Sequence, residues 1–157
     1  MRARDKIVSR ARLRPVLARA QARGQRVVFT NGCFDLLHVG HLRSFEQARR
    51  FGDLLVVGVN RDARVRALKG AGRPIIPERQ RAEMVAAFAA VDYVVLFAED
   101  TPSALIRALR PDVICKGSEY RGQPTEERRT IESLGGRCVF LRQTPGVRTS
   151  RILERLS

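Results

Sequence analysis

Tryptophan is absent from this 157-residue chain, and seven phenylalanines and two tyrosines are all the aromatic side chains it has. So few rings disfavour a platform for stacking single-stranded bases. The three cysteines, Cys33, Cys115 and Cys138, are odd in number and never fall in a CxxC pair. Neither a disulfide framework nor a zinc knuckle is indicated, and buried thiols are the plainer expectation. No apolar run approaches the roughly 20 residues of a membrane-spanning helix. The opening segment, MRARDKIVSRARLRPVLARAQARG, lacks an apolar signal core and a small-residue cleavage site, so no membrane partner and a cytoplasmic location are expected. Two familiar nucleotide signatures are missing as well: there is no GxxxxGK[ST] loop, and no GxGxxG follows the first strand-like segment.

Acidic residues are the other scarcity, 16 against 30 basic ones, for a net charge of +14. Such a surface attracts polyanions, from nucleic acid to phosphorylated small molecules. The basic residues, however, are nearly all arginine and run along the whole chain instead of gathering in a tail. They read as a compositional habit, and nucleic acid is disfavoured as a partner. Lysine occurs only at Lys6, Lys69 and Lys116, a rarity that draws attention to each. A hydrophobic fraction of 44% and this length suit one domain that buries its own core.

Residues 1–24 read as an N-terminal amphipathic helix, with Ile7, Val8, Leu13, Val16 and Leu17 on its apolar side, and residues 25–157 as the main domain. In that domain RVVFT, LLVVGVN, DYVVLF, DVICKG and RCVFL are short apolar runs of the kind that form buried strands. Between them lie helical segments: Val39 to Phe51, then RDARVRALKG with Asp62 as its cap, and PERQRAEMVAAFAAV with Met84, Val85 and Phe88 inward. TPSALIRALR follows with Thr101 at the N-cap, then EERRTIESLGG, and the C-terminal TSRILERLS. Alternating strands and helices, with strands apolar on both faces, predict an α/β fold. It is a Rossmann-like, doubly wound, parallel five-stranded sheet with helices on both faces. Ligands of such sheets bind beyond the carboxyl ends of the strands. The loops expected there hold Cys33 to His41, Asn60 to Arg73, Lys116 to Tyr120 and Gly146 to Ser150.

The stretch VVFTNGCFDLLHVGH contains the only two histidines in the chain, His38 and His41. A spacing of three at a helix start puts both imidazoles on one face. Gly40 between them removes a side chain that would obstruct a ligand approaching the backbone. The free N–H groups of a helix start favour anions, and imidazoles add donors that become cationic beside phosphate. Other readings are a packed core pair, a metal pair lacking a third ligand unless Asp35 or Cys33 turns inward, and a Cys33–His dyad with no oxyanion-hole signature beside it. A phosphate clamp is preferred because the other three loops carry phosphate-type chemistry as well.

GCFDLLHVGH resembles the HxGH motif of the nucleotidylyltransferase superfamily, in its cytidylyltransferase-like branch. Taken in order, FTNGCFDLLHVGHLRSFEQAR, VVGVNRDARVRALKG, VDYVVLF, DVICKG and TSRILERL are similar to the adenylyltransferase domain of heptose 1-phosphate nucleotide-transfer enzymes, over about residues 25–156. Some members of that group are fused to a sugar kinase; this length has no room for one, so a stand-alone transferase is expected.

The resemblance implies transfer of the AMP moiety of ATP to a sugar 1-phosphate, with pyrophosphate released by direct in-line attack. D-glycero-D-manno-heptose 1-phosphate is the foremost acceptor, and magnesium is carried with ATP. His38, His41 and Lys69 match the residues that act on the reacting phosphates. Cys33, Phe34, Gly40, Gly146, Arg148, Thr149 and Ser150 match the nucleotide-binding positions, with Arg148 in place of the family's first serine in its G-x-S-T-T segment. Asp35, Asp62, Arg73, Arg81, Lys116 and Glu119 are the positions expected near the substrate; Glu119 stands where relatives more often carry aspartate. No resident metal site is implied, and a homodimer is. The alternatives are a cytidylyltransferase acting on glycerol phosphate or another polyol phosphate, and, further off, a basic nucleic-acid-binding module.

Overall fold

Five apolar segments become strands because helices cover both of their faces. The computed structural model, which describes residues 1–157, has β1 at Val27–Gly32, β2 at Leu54–Asn60, β3 at Tyr93–Phe97, β4 at Val113–Gly117 and β5 at Arg137–Leu141. All pair in parallel, in the order β3-β2-β1-β4-β5. The helices are α1 (Arg10–Ala22), α2 (Val39–Arg49), α3 (Asp62–Lys69), α4 (Glu78–Ala86), α5 (Ser103–Leu109), α6 (Glu126–Ser133) and α7 (Thr149–Leu156). This is the doubly wound, Rossmann-like sheet that the sequence predicts.

Two apolar layers sandwich the sheet. On one face Phe45 and Ala48 of α2 and Ala82, Val85 and Ala86 of α4 pack on Val28, Val57 and Val59. On the other, Leu13 and Leu17 of α1, Leu105, Ile106 and Leu109 of α5 and Ile131 of α6 pack on Val27, Phe29 and Val56. Each such leucine or isoleucine contributes about 2 kcal/mol by leaving water. Cys115 lies in the first layer and Cys138 packs against the second, so the two thiols cannot bridge although their strands are neighbours. Burial pushes the Cys115 thiol up to about 12.

The strand order reverses between β1 and β4, and there the pairing is short. Only Val28 with Val113 and Phe29 with Ile114 are in register. Beyond them Thr30 spans the widening gap with its hydroxyl, donating to the Cys115 carbonyl at 3.1 Å. The strands therefore part at their carboxyl ends, and the crevice opens at the topological switch point, where α/β sheets bind ligands.

Several local expectations need correction. Ile7 and Val8 are not on a helix: Ile7 bridges Val94, and Val8 N–H donates to the Val94 carbonyl at 3.0 Å. They occupy the open side of edge strand β3, whose backbone groups would otherwise be unpaired. Met84 is 57% exposed, because α4 instead turns Arg81, Ala82, Val85 and Ala86 inward. Helix α5 starts one residue late, at Ser103, with Pro102 at the N-cap position. Asp62 is the first residue of α3 and not its cap; the carboxylate of Glu78 accepts the Asp62 N–H at 2.7 Å.

Candidate active site

Strand β1 ends at Gly32, and the chain turns before α2 with Phe34 in the left-handed region, at φ +51°. That turn folds the Phe34 ring against Phe45 and the edge of His41, with centroids 5.3 and 5.4 Å apart. It also needs Gly32, because a Cβ there would stand 2.9 Å from the Phe34 ring. His38 is the N-cap of α2 and His41 its third residue. The Nδ1 atom of His38 accepts the Gly40 N–H at 3.1 Å, and the Nδ1 atom of His41 accepts the His38 N–H at 3.2 Å. This is the reciprocal capping box usually built from Ser or Thr and Glu, made here from two imidazoles. The rings stack with centroids 3.9 Å apart.

The box decides the protonation state. An imidazole that accepts at Nδ1 carries its proton on Nε2, so each ring keeps one N–H donor directed away from the helix backbone. Burial lowers the pKa of His38; burial, followed by the neighbouring His38, lowers that of His41 to about 4. Both rings are neutral at pH 7. Charging either would put a proton on Nδ1 and break the cap, so an imidazole that turned cationic beside phosphate would give up its place in the capping box. Gly40 has a second use for its missing side chain. A Cβ at Gly40 would stand 2.9 Å from the His38 ring, so the space also serves the histidine's own fold-back.

Asp35, in the same turn, is 5% exposed and holds the loop that follows α3. Its carboxylate accepts the N–H groups of Ile75 and Ile76 at 2.9–3.0 Å and pairs with Arg73 Nε at 2.7 Å. Burial would raise its pKa, but the two backbone donors and the guanidinium outweigh burial and hold it below the usual carboxylate range. Arg81, read from the sequence as a substrate contact, has a side chain sealed from solvent. It donates to the carbonyls of Ile76 and Cys33 and to Asp62 Oδ1, the last at 2.7 Å. An arginine sits inward because three acceptors await it. Asp35, Asp62, Arg73 and Arg81 thus form one network that ties the β1 turn to the α3–α4 segment. Lys69 lies just outside it, exposed at the end of α3, ahead of Gly70 and Gly72 with φ of +98° and +85°. Only the stretch from Arg73 onward is held by Asp35, so the lysine ends its helix next to the part of the loop that Asp35 does not hold.

Across the switch point α7 begins beside α2. Thr149 Oγ1 donates to the Leu36 carbonyl at 3.0 Å, which docks the N-terminus of α7 on the histidine turn. Arg148 occupies the N-cap without a side-chain hydrogen bond, leaving the first N–H groups of α7 uncapped. Gly146, with φ +76°, turns the chain into that helix, and Ser150 is exposed on its first turn. Two helix N-termini, α2 and α7, therefore meet at the crevice, an arrangement that favours anions.

Lys116, at the end of β4, is engaged elsewhere: its Nζ lies 3.5 Å from Glu127 and 4.4 Å from the Tyr120 ring centroid. Glu119 is exposed and accepts from Gln143, linking the turn after β4 to the loop before α7. These two residues stand apart from the Asp35 network. Sequence reasoning passed over Glu78, which bonds Arg61 as well as the α3 N-terminus. It placed Asn60, the lone polar residue ending the run LLVVGV, at the start of an expected loop without giving it a role. Asn60 was legible as an anomaly; the partners of Glu78, 16 and 17 residues away, were not. No group of three or more His, Cys, Asp or Glu side chains is arranged to hold a metal ion.

Residues 29–155 match the cytidylyltransferase-like family. The chain belongs to that family. Among its relatives, the bifunctional protein HldE of Syntrophotalea carbinolica is 50% identical over 152 residues, 97% of this chain and 31% of that protein. The bifunctional protein HldE of Citrifermentans bemidjiense is 51% identical over 140 residues, 89% of this chain and 29% of that protein. This cytidylyltransferase-like chain thus spans about a third of the length of the curated relatives it matches. Among solved structures it is similar to the lipopolysaccharide core biosynthesis protein of Thermoplasma volcanium, with TM-score 0.65 and 29% identity over 77% of this chain and 98% of that one. The histidine box, the two helix N-termini and the Asp35 network all fall inside the family match.

Proposed function

We propose that this chain is an adenylyltransferase that moves AMP from ATP to a sugar 1-phosphate, D-glycero-D-manno-heptose 1-phosphate foremost, giving ADP-heptose and pyrophosphate. The observation that carries the reading is the histidine capping box at the mouth of the switch-point crevice, with each Nε2–H free of protein partners. The relatives named HldE and the core biosynthesis protein support the choice of sugar.

In this mechanism a phosphate oxygen of the sugar attacks the α-phosphorus of ATP, and the bond to the β,γ-diphosphate breaks on the opposite side. No group on the protein becomes bonded to the nucleotide. His38 and His41 donate their Nε2–H groups to phosphate oxygens, where neutral, pre-aimed donors stabilise developing charge without rearranging. Lys69 swings in on its glycine-flanked segment and adds the positive charge the imidazoles lack. The N–H groups of α7, with Gly146, Arg148, Thr149 and Ser150, hold the far phosphates, while the backbone of Cys33, Phe34 and Gly40 lies along the nucleotide. Asp35, Arg73 and Arg81 act through the loops they hold, and Asp62, Lys116 and Glu119 border the acceptor side. Magnesium arrives as part of the ATP substrate, on its phosphates. A cytoplasmic homodimer completes the proposal, and sedimentation velocity reads its mass.

The family also favours one second reading, CTP with glycerol phosphate or another polyol phosphate. Pyrophosphate release measured across ATP, CTP, GTP and UTP, each with heptose 1-phosphate and glycerol phosphate, decides. The fastest turnover is expected for ATP with the heptose; fastest turnover for CTP with glycerol phosphate overturns the proposal.

A further inference from the structure

Asn60 closes β2 as a polar amide on an otherwise apolar strand, and the residue is 7% exposed. Its strand parity places it with Val56 and Gly58, on the face that carries Phe29 and Phe97. Gly58 lets both rings close in, within 3.0–3.2 Å of where its Cβ would stand. They form an apolar floor, and Asn60 is the first polar side chain above it. Asparagine is a poor strand former, so local preference does not explain its presence.

Its hydrogen bonding is half used. Nδ2 makes a long 3.4 Å contact to Cys33 Sγ, a weak acceptor. The amide oxygen accepts no bond from any protein group, yet it is not among the atoms sealed from solvent, where only Arg64 Nε stands unpartnered. A largely buried amide whose acceptor is unpartnered yet reachable from outside has the form of a ligand contact. It sits at the carboxyl end of β2, next to the turn that bears the histidines and on the opposite side of β1 from β4 and β5. Asn60 therefore lies across β1 from Lys116 and Glu119, which end and follow β4, and faces a different part of the acceptor from theirs.

We infer that Asn60 is a specificity-determining residue whose amide oxygen accepts a hydroxyl of the polyhydroxylated acceptor. The inference rests on the adenylyltransferase reading and deepens it. A hydroxyl donor satisfies the free oxygen, and a site that hydrogen-bonds a substrate hydroxyl rejects an analogue lacking it.

The test is steady-state kinetics of wild type, Asn60→Ala and Asn60→Ser with ATP, heptose 1-phosphate and its monodeoxy analogues. Asn60→Ala should raise the acceptor KM by roughly tenfold or more and leave the ATP KM within about twofold. It should also lose discrimination against one monodeoxy analogue, while Asn60→Ser, which retains an acceptor oxygen, recovers part of it. A merely structural role would shift both KM values and the melting temperature together, and that result overturns the assignment. So does an unchanged acceptor KM in Asn60→Ala. Wild type inert with every sugar 1-phosphate overturns the adenylyltransferase reading and this inference with it; active wild type with indifferent variants overturns only the role of Asn60.

Discussion

Arg73 Nε lies 2.7 Å from Asp35 Oδ2, and that carboxylate also collects the N–H groups of Ile75 and Ile76. One buried side chain from the β1 turn therefore fixes the backbone of a loop some forty residues later. Asp35→Ala leaves two N–H groups and a guanidinium without their acceptor. The expected loss is about 3 kcal/mol of stability, with faster hydrogen exchange at Ile75 and Ile76. Urea denaturation and amide exchange read both; unchanged exchange would show that the loop is held by something else.

Gly40→Ala sets two effects against each other. Alanine favours the helix by up to about 1 kcal/mol over glycine, but its Cβ would stand 2.9 Å from the His38 ring and push it off the cap. The melting temperature should move little while turnover falls at least about tenfold, the loss expected when a positioned donor is displaced. Equal turnover would mean that the fold-back of His38 is incidental.

Acid should destabilise the chain through its histidines. The folded pKa of His41 lies near 4, below its ordinary 6.5, and that of His38 is displaced in the same direction. The unfolded chain therefore binds more protons between those values. The contribution is complete above about pH 6.5 and is lost as pH falls toward 4. Allowing for solvent around half-buried rings, the loss is roughly 2 kcal/mol. Urea denaturation between pH 4 and 7 reads it, and His41→Gln should flatten the profile. A wild-type profile already flat in that range contradicts the neutral capping box.

Arg148 caps nothing. Arg148→Ser should hydrogen-bond the first turn of α7, add about 1 kcal/mol to that helix and slow exchange of the Ser150 and Arg151 amides. It also withdraws a cation and N–H groups from the phosphate end, so the ATP KM should rise. A lower ATP KM would indicate that serine suits the phosphates better than arginine does.

Much of this was legible in the residues. Five apolar runs bounded by turn signals became the five strands, since burial on both faces leaves a parallel strand little choice of composition. The histidines stood out by rarity and by their place after a strand. What escaped reading was long-range pairing. Arg81 looks like one more surface arginine until Ile76, Cys33 and Asp62 surround it, and that changes which face of α4 turns inward and leaves Met84 outside. Asp62 looks like a cap until Glu78 takes over its N–H. Ile7 and Val8 look helical until the bare edge of β3 claims them. The neutrality of the histidines was hidden for a related reason: it follows from which ring nitrogen the backbone occupies, a matter of geometry that spacing does not carry.

His41→Gln tests the central claim most directly. Glutamine is a natural third residue of a capping box, so it can accept the His38 N–H and keep the helix start while removing the imidazole Nε2–H. With ATP and heptose 1-phosphate, pyrophosphate release should fall by about 10² to 10³ in kcat, with the melting temperature at neutral pH near that of wild type. Turnover equal to wild type in a folded His41→Gln protein would contradict the proposal that these rings act on the phosphates.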